Sequence, residues 1–310
     1  MQAAKSIPLS AHELRDAVRQ NQGFDASRLD RILRHEEGRG VIEVQASTPW
    51  RAIADYLRPG DKHAELASLR TTMHTIGESI ARNAAGPDGR PAVAHVESIT
   101  IITPDGELRR INRLAHGGLF AMVVGGHGLF GAIYSVTLRV DSLARAVNDT
   151  AHEAPAPAAR PSLQLLLPPQ AVEGFLAEAR SRCAEWRVDI ESAELRDTLP
   201  EDETFLRWAS RLYKEVSLQL AMLQTIGGAV RATQLRRELI DSAIAAGGSF
   251  PIARTPEATR EQVAACYPQL PAFLAEKRRI DPAEKLMNGW YLHHRNLFSR
   301  ERCETRWNQA

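Results

Sequence analysis

The sequence has few of the features that mark specialised classes of protein. Its three cysteines, Cys183, Cys266 and Cys303, lie far apart, so neither a disulfide framework nor a zinc site is expected. No charge of one sign dominates, since 39 Lys and Arg face 38 Asp and Glu, and this balance predicts neither a nucleic-acid nor a membrane-surface partner. No apolar run approaches the roughly 20 residues of a membrane-spanning helix, and the first residues lack a secretion signal. We therefore expect a cytoplasmic protein.

The composition is that of an ordinary globular protein, with 44% hydrophobic and 25% charged residues. In the first half, Ser10 and Glu13 have the spacing of a helix-capping pair, and Pro104-Asp105-Gly106 has the composition of a hairpin turn. Periodicity and turn residues together predict helices that begin near residues 11 and 49, and strands over residues 40–44, 97–103, 107–111 and 132–140.

The second half begins after a segment rich in proline and alanine, Ala154–Pro161, which is typical of an extended linker. We expect a first domain over residues 1–145, a linker over 146–162 and a second domain over 163–310. Helical patterns cover residues 170–186, 205–223, 232–246 and 259–277. Two stretches, 163–167 and 215–220, fit strands equally well, so the second half is predicted to be α+β.

Two segments of the first half have the composition of ligand-binding loops. Residues 126–131 match the G-x-G-x-x-G pattern of dinucleotide sites, but they follow a helical stretch and open a strand, whereas that fingerprint follows a strand and opens a helix. The segment Thr75–Gly86 alternates small, hydroxyl and apolar residues. It can lie against a planar ligand, or it can pack closely on the sheet.

These segments, with Val41–Val44 and the hairpin Ile99–Arg110, resemble in order and spacing the PCMH-type FAD-binding domain of the vanillyl-alcohol oxidase superfamily. The second half is similar to the aldonolactone and decaprenylphosphoryl-ribose oxidase branch, through segments such as Glu203–Ala209 and Lys277–Pro282. The resemblance implies an α+β fold with an FAD-binding domain and an α+β substrate domain. It also implies a flavin-contacting set: Thr75, Ile76, Gly77, Ser79, Asn83, Gly86 and Ile133.

The sequence also departs from that family. The glycine-rich loop that wraps the FAD pyrophosphate is missing after the first helix, Glu78 replaces a glycine, and Ala85 replaces a histidine. A diphosphate needs several donors or a cation, so we expect that FAD has been lost and that no cofactor is bound. The leading hypothesis is then a flavin-free cyclase that closes a ring on an apolar, carbonyl-bearing natural-product intermediate. The alternatives are an oxidoreductase with noncovalent FAD acting on an alcohol or sugar-like substrate, and a non-catalytic binding protein.

The resemblance also suggests catalytic residues. Arg254 falls where the ribose-oxidase relatives place an active-site lysine, and a permanent cation suits carbonyl or enolate stabilisation. Asn288 and Tyr291 lie, with Trp290, in the tail segment that approaches the cofactor cleft in relatives. His127, in the glycine-rich turn, is expected to be solvated, and the adjacent His293 and His294 are expected to diverge, so no metal site is assigned.

Overall fold

A computed structural model describes residues 5–57, 75–84, 89–142, 162–221 and 226–299. The chain divides into two compact units. The first is built from Met1–Ala156, Glu203–Leu206 and Ala272–Tyr291, and the second from Pro157–Asp202, Arg207–Pro271 and Leu292–Ala310. Apart from Ser162, the linker expected over residues 146–162 lies outside the described residues.

The first unit contains an antiparallel sheet. Its strands are β1 (Ile32–Glu36), β2 (Val41–Gln45), β3 (Val96–Ile102), β4 (Leu108–Ile111) and β5 (Ala132–Arg139). Within the described residues they lie in the order β1-β2-β5-β3-β4. The predicted hairpin is confirmed, since Ile102 pairs with Leu108 across a turn in which Gly106 has a φ of +82°. Glycine adopts this left-handed conformation without steric cost.

The first unit also contains four helices from the first half of the chain. The helices are α1 (Ala11–Arg19), α2 (Trp50–Tyr56), α3 (Ile76–Arg82) and α4 (Gly117–Val123). The predicted start of α1 is confirmed: Ser10 Oγ accepts the Glu13 amide at 3.3 Å, and the Glu13 carboxylate in turn accepts the amide of Leu9 at 2.9 Å. Helices α1 and α3 both pack against β5.

The central strand β5 differs from the expected half-buried strand. The alternation predicted one exposed face, but Ser135, Val136, Thr137 and Leu138 are all buried. Two of these side chains are polar and need hydrogen bonds in the core. Ser135 Oγ donates to Glu43 at 2.6 Å, and Thr137 Oγ1 accepts from Arg110 at 3.2 Å. In β5, the polar residues of the alternating pattern are therefore core residues that are hydrogen-bonded to other side chains.

A short stretch, Glu203–Leu206, is held by the first unit although its neighbours in sequence belong to the second. The Arg113 guanidinium bonds the Glu203 carboxylate and donates to the carbonyls of Val96 and Val93. The amide of Phe205 donates to the Ala121 carbonyl at 2.9 Å. A charged, hydrogen-bonded side chain thus attaches this stretch.

The second unit has its own antiparallel sheet. Its strands are β6 (Leu163–Leu167), β7 (Ile190–Thr198) and β8 (Tyr213–Leu220), and within the described residues they lie in the order β6-β8-β7. Its helices are α5 (Val172–Glu185), α6 (Ile226–Ala245) and α7 (Arg260–Cys266). Helix α8 (Leu270–Ile280) belongs to the first unit from Ala272 onward, and helix α9 (Gly289–Ser299) begins in the first unit and continues in the second after Tyr291. Helix α6 packs against α5, α7 and β6.

Two helix expectations for the second half need correction or refinement. The helix expected over residues 205–223 is wrong, because Tyr213–Leu220 forms the central strand β8; the strand alternatives at 163–167 and 215–220 are confirmed. The pattern over 259–277 divides into two helices that break at Tyr267 and Pro268, since proline disfavours a helical conformation in the residue before it. The strand β7 was not predicted.

The architecture is α+β, as expected. No helix among the described ranges has the length and apolar character needed to cross a bilayer.

Candidate functional site

Helix α3, which carries most of the expected flavin-contacting residues, is held tightly against the end of β2. The amide of Ile76 donates to the Thr48 carbonyl at 2.9 Å, and the amide of Gly77 donates to the Ala46 carbonyl at 2.6 Å. A Cβ built on Gly77 would lie 2.9 Å from both Cβ and O of Ala46. Gly77 is therefore required for the close approach of helix and strand.

The polar side chains at the start of α3 are engaged within the protein. Thr75 Oγ1 caps the helix by accepting the amide of Glu78 at 3.3 Å. The buried Ser79 hydroxyl accepts the Trp50 indole N–H at 2.9 Å. The carboxylate of Glu78, the residue that replaces a glycine of the oxidase family, lies 2.9 Å from the guanidinium of Arg82. That ion pair offsets part of its negative charge.

Helix α3 ends at Asn83, whose side chain is completely buried. Its backbone is left-handed, with a φ of +46°, a conformation that asparagine tolerates better than most residues. Asn83 Oδ1 accepts the amide of Val93 at 3.0 Å. The last residue of the expected set in this segment, Gly86, lies outside the described residues.

A turn over residues 124–131, which we name the glycine turn, closes the C-terminal end of α3. The amide of Gly125 donates to the Ile80 carbonyl at 2.9 Å, and the amide of His127 donates to the Ala81 carbonyl at 2.8 Å. These bonds satisfy two carbonyls that the end of a helix leaves free. The turn follows α4 and opens β5, which confirms that it is not the strand–helix dinucleotide fingerprint. Ile133, in β5, is half-buried and pairs with Ile101.

The glycines of this turn occupy their positions for different structural reasons. Gly125 and Gly128 each have a φ of +73°. A Cβ on Gly126 would overlap the carbonyl oxygen of Met122. At Gly128 nothing lies within 4 Å of the Cβ position. Glycine at position 128 is therefore required by its left-handed backbone and not by a close contact.

The C-terminal part of the first unit packs onto the glycine turn. The Trp290 and His127 rings stack with centroids 4.0 Å apart and an interplanar angle of 12°. Asn288 Nδ2 donates to the His127 carbonyl at 2.7 Å, and Asn288 Oδ1 accepts the Tyr291 amide at 2.9 Å. The expectation that His127 is a solvated loop histidine is wrong, because it is half-buried beneath an indole ring.

Next to this contact, the first unit buries an ion pair between Lys277 and Asp281, which are 0% and 1% exposed. Burial lowers the pKa of Lys277, and its bond to Asp281 only partly offsets this. Burial acts to raise the pKa of Asp281, but hydrogen bonds from Lys277 and from the amides of Leu286 and Lys285 hold it below its ordinary value.

Tyr291, one of the three catalytic residues expected, closes this cluster. Its side chain is completely buried, and its hydroxyl donates to Glu284 at 2.7 Å. The structure brings Tyr291 and Asn288 together, and the hydrogen bonds of both stabilise the conformation of the C-terminal segment. Neither His293 nor His294 adds to the site: His293 is exposed and His294 is buried. Among the described ranges, no three His, Cys, Asp or Glu side chains are grouped to hold a metal.

Arg254, the third expected catalytic residue, belongs to the second unit. It is exposed, and its Nη1 donates to Gln164 Oε1 at 3.0 Å. Gln164 is paired across the sheet with Ser217, and Ser217 with Glu194. These paired residues share one face of the sheet, so Arg254 lies at the edge of a polar sheet face.

Sequence reasoning missed the contacts that hold this site together. Nothing in the sequence linked Trp50 to Ser79 or Trp290 to His127, because each pair is distant along the chain. The Lys277–Asp281 pair had a weak signal, since the two residues are four apart on a helix and therefore share a face. The resemblance to the oxidase family singled out the segment Lys277–Pro282, but it did not predict the ion pair.

Comparison with known proteins adds one finding. Residues 13–112 match the family model of an FAD binding domain. No curated protein matches the sequence. The matched range runs from within α1 to just past the end of β4 and includes the contact between β2 and α3 described above. The expectation that the protein has no cofactor is overturned by this match, which points to FAD. The similarity to an FAD binding domain thus covers about a third of the chain.

Proposed function

We propose that the protein is an FAD-dependent oxidoreductase that holds flavin noncovalently in its first unit and oxidises an alcohol or sugar-like substrate. The observation that carries the proposal is the match of residues 13–112 to an FAD binding domain. The geometry supports it, because the described members of the expected flavin-contacting set lie on and beside α3 and in β5, which pack against each other.

The residues present fit the planar part of this cofactor. A flat ring needs backbone that side chains do not cover, and the open space at Gly128 provides it. Half-buried Ile133 supplies an apolar side chain on the adjoining strand. The amides of Ile76, Gly77, Gly125 and His127 already donate to protein carbonyls. We therefore assign the ring to this surface and assign none of these amides to the diphosphate.

The bound flavin supplies a two-electron acceptor, and the chain supplies the shape of the site. Each buried polar group around α3 has a partner inside the protein, as Ser79 has in Trp50 and Asn83 in the amide of Val93. Such a site keeps its conformation without ligand, so little conformational entropy is lost on binding. The Glu78–Arg82 pair reduces repulsion of an anionic cofactor.

The second unit favours a hydroxylated substrate over the apolar one expected from the sequence. Pairing across β6, β8 and β7 places Gln164, Ser217 and Glu194 in one row. A neighbouring row on the same face holds the buried Leu166 beside Glu215 and Arg196. Amide, hydroxyl and carboxylate groups of this kind bind hydroxyl groups by donating and accepting hydrogen bonds. Arg254 is suited to orient a polar group, because its guanidinium stays charged and does not abstract protons.

The proposal is tested by titrating the full chain with FAD and then mixing the complex anaerobically with alcohols, polyols and sugars. We expect saturable FAD binding and bleaching of the flavin absorbance by a polyol or sugar. A folded chain that binds no FAD would contradict the proposal, and bound FAD that none of these substrates reduces would contradict the assigned reaction.

The role of the sheet face has a matched control. Arg254→Ala should raise the KM for the reducing substrate several-fold and leave FAD affinity unchanged. Arg180→Ala removes another exposed arginine of the second unit, on α5, and should change neither quantity. Equal KM values for the two variants would remove Arg254 from the substrate site.

A further inference from the structure

The contact between the C-terminal segment and the glycine turn involves two residues that belong to no catalytic step described above. Asn288 donates to the His127 carbonyl at 2.7 Å, and the Trp290 ring stacks on the His127 ring at 4.0 Å. We call Asn288 and Trp290 the clamp. Both clamp residues hold His127, one through its backbone and the other through its side chain.

His127 needs such support because of its backbone conformation. Its φ is +54°, and a residue with a Cβ is held in the left-handed region only when its surroundings impose that conformation. Its amide donates to the Ala81 carbonyl at 2.8 Å. The same residue therefore links the clamp on one side to the end of α3 on the other.

The clamp residues are themselves fixed. Trp290 meets the Phe273 ring edge-on at 6.2 Å, and Phe273 meets Phe130 of the glycine turn at 4.9 Å. Asn288 is oriented because its Oδ1 accepts the Tyr291 amide at 2.9 Å. A side chain whose second hydrogen bond is satisfied in this way presents its donor in one direction.

We propose that Asn288 and Trp290 are positioning residues that hold the glycine turn against the end of α3, and so keep the flavin-contacting backbone in its binding conformation. The effect on FAD rests on the proposed function, whereas the effect on the turn does not. Release of the clamp frees His127 to leave the left-handed region. The amides of Gly125 and His127 then lose their partners on α3 for part of the time.

Asn288→Asp separates this role from simple folding of the C-terminal segment. An aspartate keeps the oxygen that accepts the Tyr291 amide and so preserves the cap of α9. It lacks the N–H that donates to the His127 carbonyl and brings a second acceptor against it. Trp290→Ala removes the stacked ring, and Trp290→Phe replaces it with a smaller one.

The experiment measures two quantities on the full chain: site-resolved hydrogen exchange at the Gly125 and His127 amides, and the dissociation constant for FAD. In Asn288→Asp and in Trp290→Ala we expect both amides to exchange about tenfold faster, and the dissociation constant to rise about fivefold to tenfold, as for loss of one hydrogen bond. Trp290→Phe should recover much of both. Met287→Ala, a 49% exposed neighbour in the same segment, should change neither.

Unchanged exchange in Asn288→Asp and Trp290→Ala would overturn the clamp. Faster exchange with unchanged FAD affinity would overturn its effect on the cofactor. If the wild-type chain binds no FAD, the proposed function fails, and the exchange data still decide whether the clamp holds the turn. If Trp290→Ala does not fold, the clamp is tested by Asn288→Asp and Trp290→Phe. Exchange at the Gly125 and His127 amides should then be faster in Asn288→Asp than in Trp290→Phe, and unchanged exchange in Asn288→Asp would overturn the clamp.

Discussion

Polar residues around the first unit's site and on the second unit's sheet face differ in burial. In the first unit, buried groups such as Gln45, Asn83 and Asp281 bond the backbone or other side chains of the same unit. In the second, Gln164, Ser217 and Glu194 line one half-buried sheet face. In the first pattern the polar groups are used up by bonds inside the protein, and in the second they lie on the face that we propose binds the substrate.

The strands explain this difference. β5 lies at the centre of its sheet with helices packed on it, so its polar residues become core residues with fixed partners. β8 is also central, but Val216 and Leu218 are buried while Glu215, Ser217 and Gln219 on the other face are half-buried. Period-two alternation thus indicates a solvent-accessible face only where no helix covers the polar side.

The largest effect is expected where a buried charge in the first unit loses its partner. Lys277→Met leaves Asp281 unpaired at 1% exposure, and we expect the free energy of unfolding to fall by about 3–5 kcal/mol. Lys277→Met combined with Asp281→Asn removes both charges and should recover at least half of the loss. Denaturant unfolding of both variants measures this, and an equal loss in the two would show that the charge pair is not the cause.

Two glycines of the first unit should respond in opposite directions to alanine. Gly126→Ala forces a Cβ onto the Met122 carbonyl, and we expect a loss of about 1–3 kcal/mol. Gly118 lies inside α4 with nothing within 4 Å, so Gly118→Ala should stabilise by about 0.5–1 kcal/mol. The two melting temperatures check this, and a shift of the same sign in both would contradict the assigned packing at Gly126.

Adjacent residues of β8 test the two-faced sheet of the second unit. Val216 is completely buried, and Val216→Ala should cost about 1–3 kcal/mol. Ser217 is half-buried on the polar face, and Ser217→Ala should change stability by less than about 0.5 kcal/mol. If the two variants unfold at the same denaturant concentration, the distinction between the faces is wrong.

The pH dependence of stability should report the first unit's charge pair. The pKa of Asp281 lies below its ordinary 3.8 in the folded chain, so the unfolded chain takes up a proton first as the pH falls. The stabilisation is therefore complete above this ordinary value and is lost as the pH drops through the folded one. The variant Lys277→Met/Asp281→Asn lacks this carboxylate, and its stability should fall less steeply with acid than that of the wild type. If the stability of the two proteins fell equally steeply with acid, this would contradict the lowered pKa of Asp281.

Local signals predicted much of the first unit and less of the second. The Ser10–Glu13 cap and the Pro104–Gly106 turn are decided by neighbouring residues, and both are found. The helix expected over residues 205–223 is wrong because Val216, Leu218 and Leu220 alternate with polar residues at the period of a strand, and this strand pairs with β6 and β7. The candidate site shows the same limit. Its glycines could be found from the sequence, but the Trp290–His127 contact joins residues that only the folded chain brings together.

The most direct test of the account is the stoichiometry of FAD on the folded chain, measured by equilibrium dialysis of the wild type beside Asn288→Asp. The account predicts one FAD per chain for the wild type, and the same stoichiometry with weaker affinity for the variant. A wild-type chain that is folded and retains no FAD at saturating concentrations would contradict it.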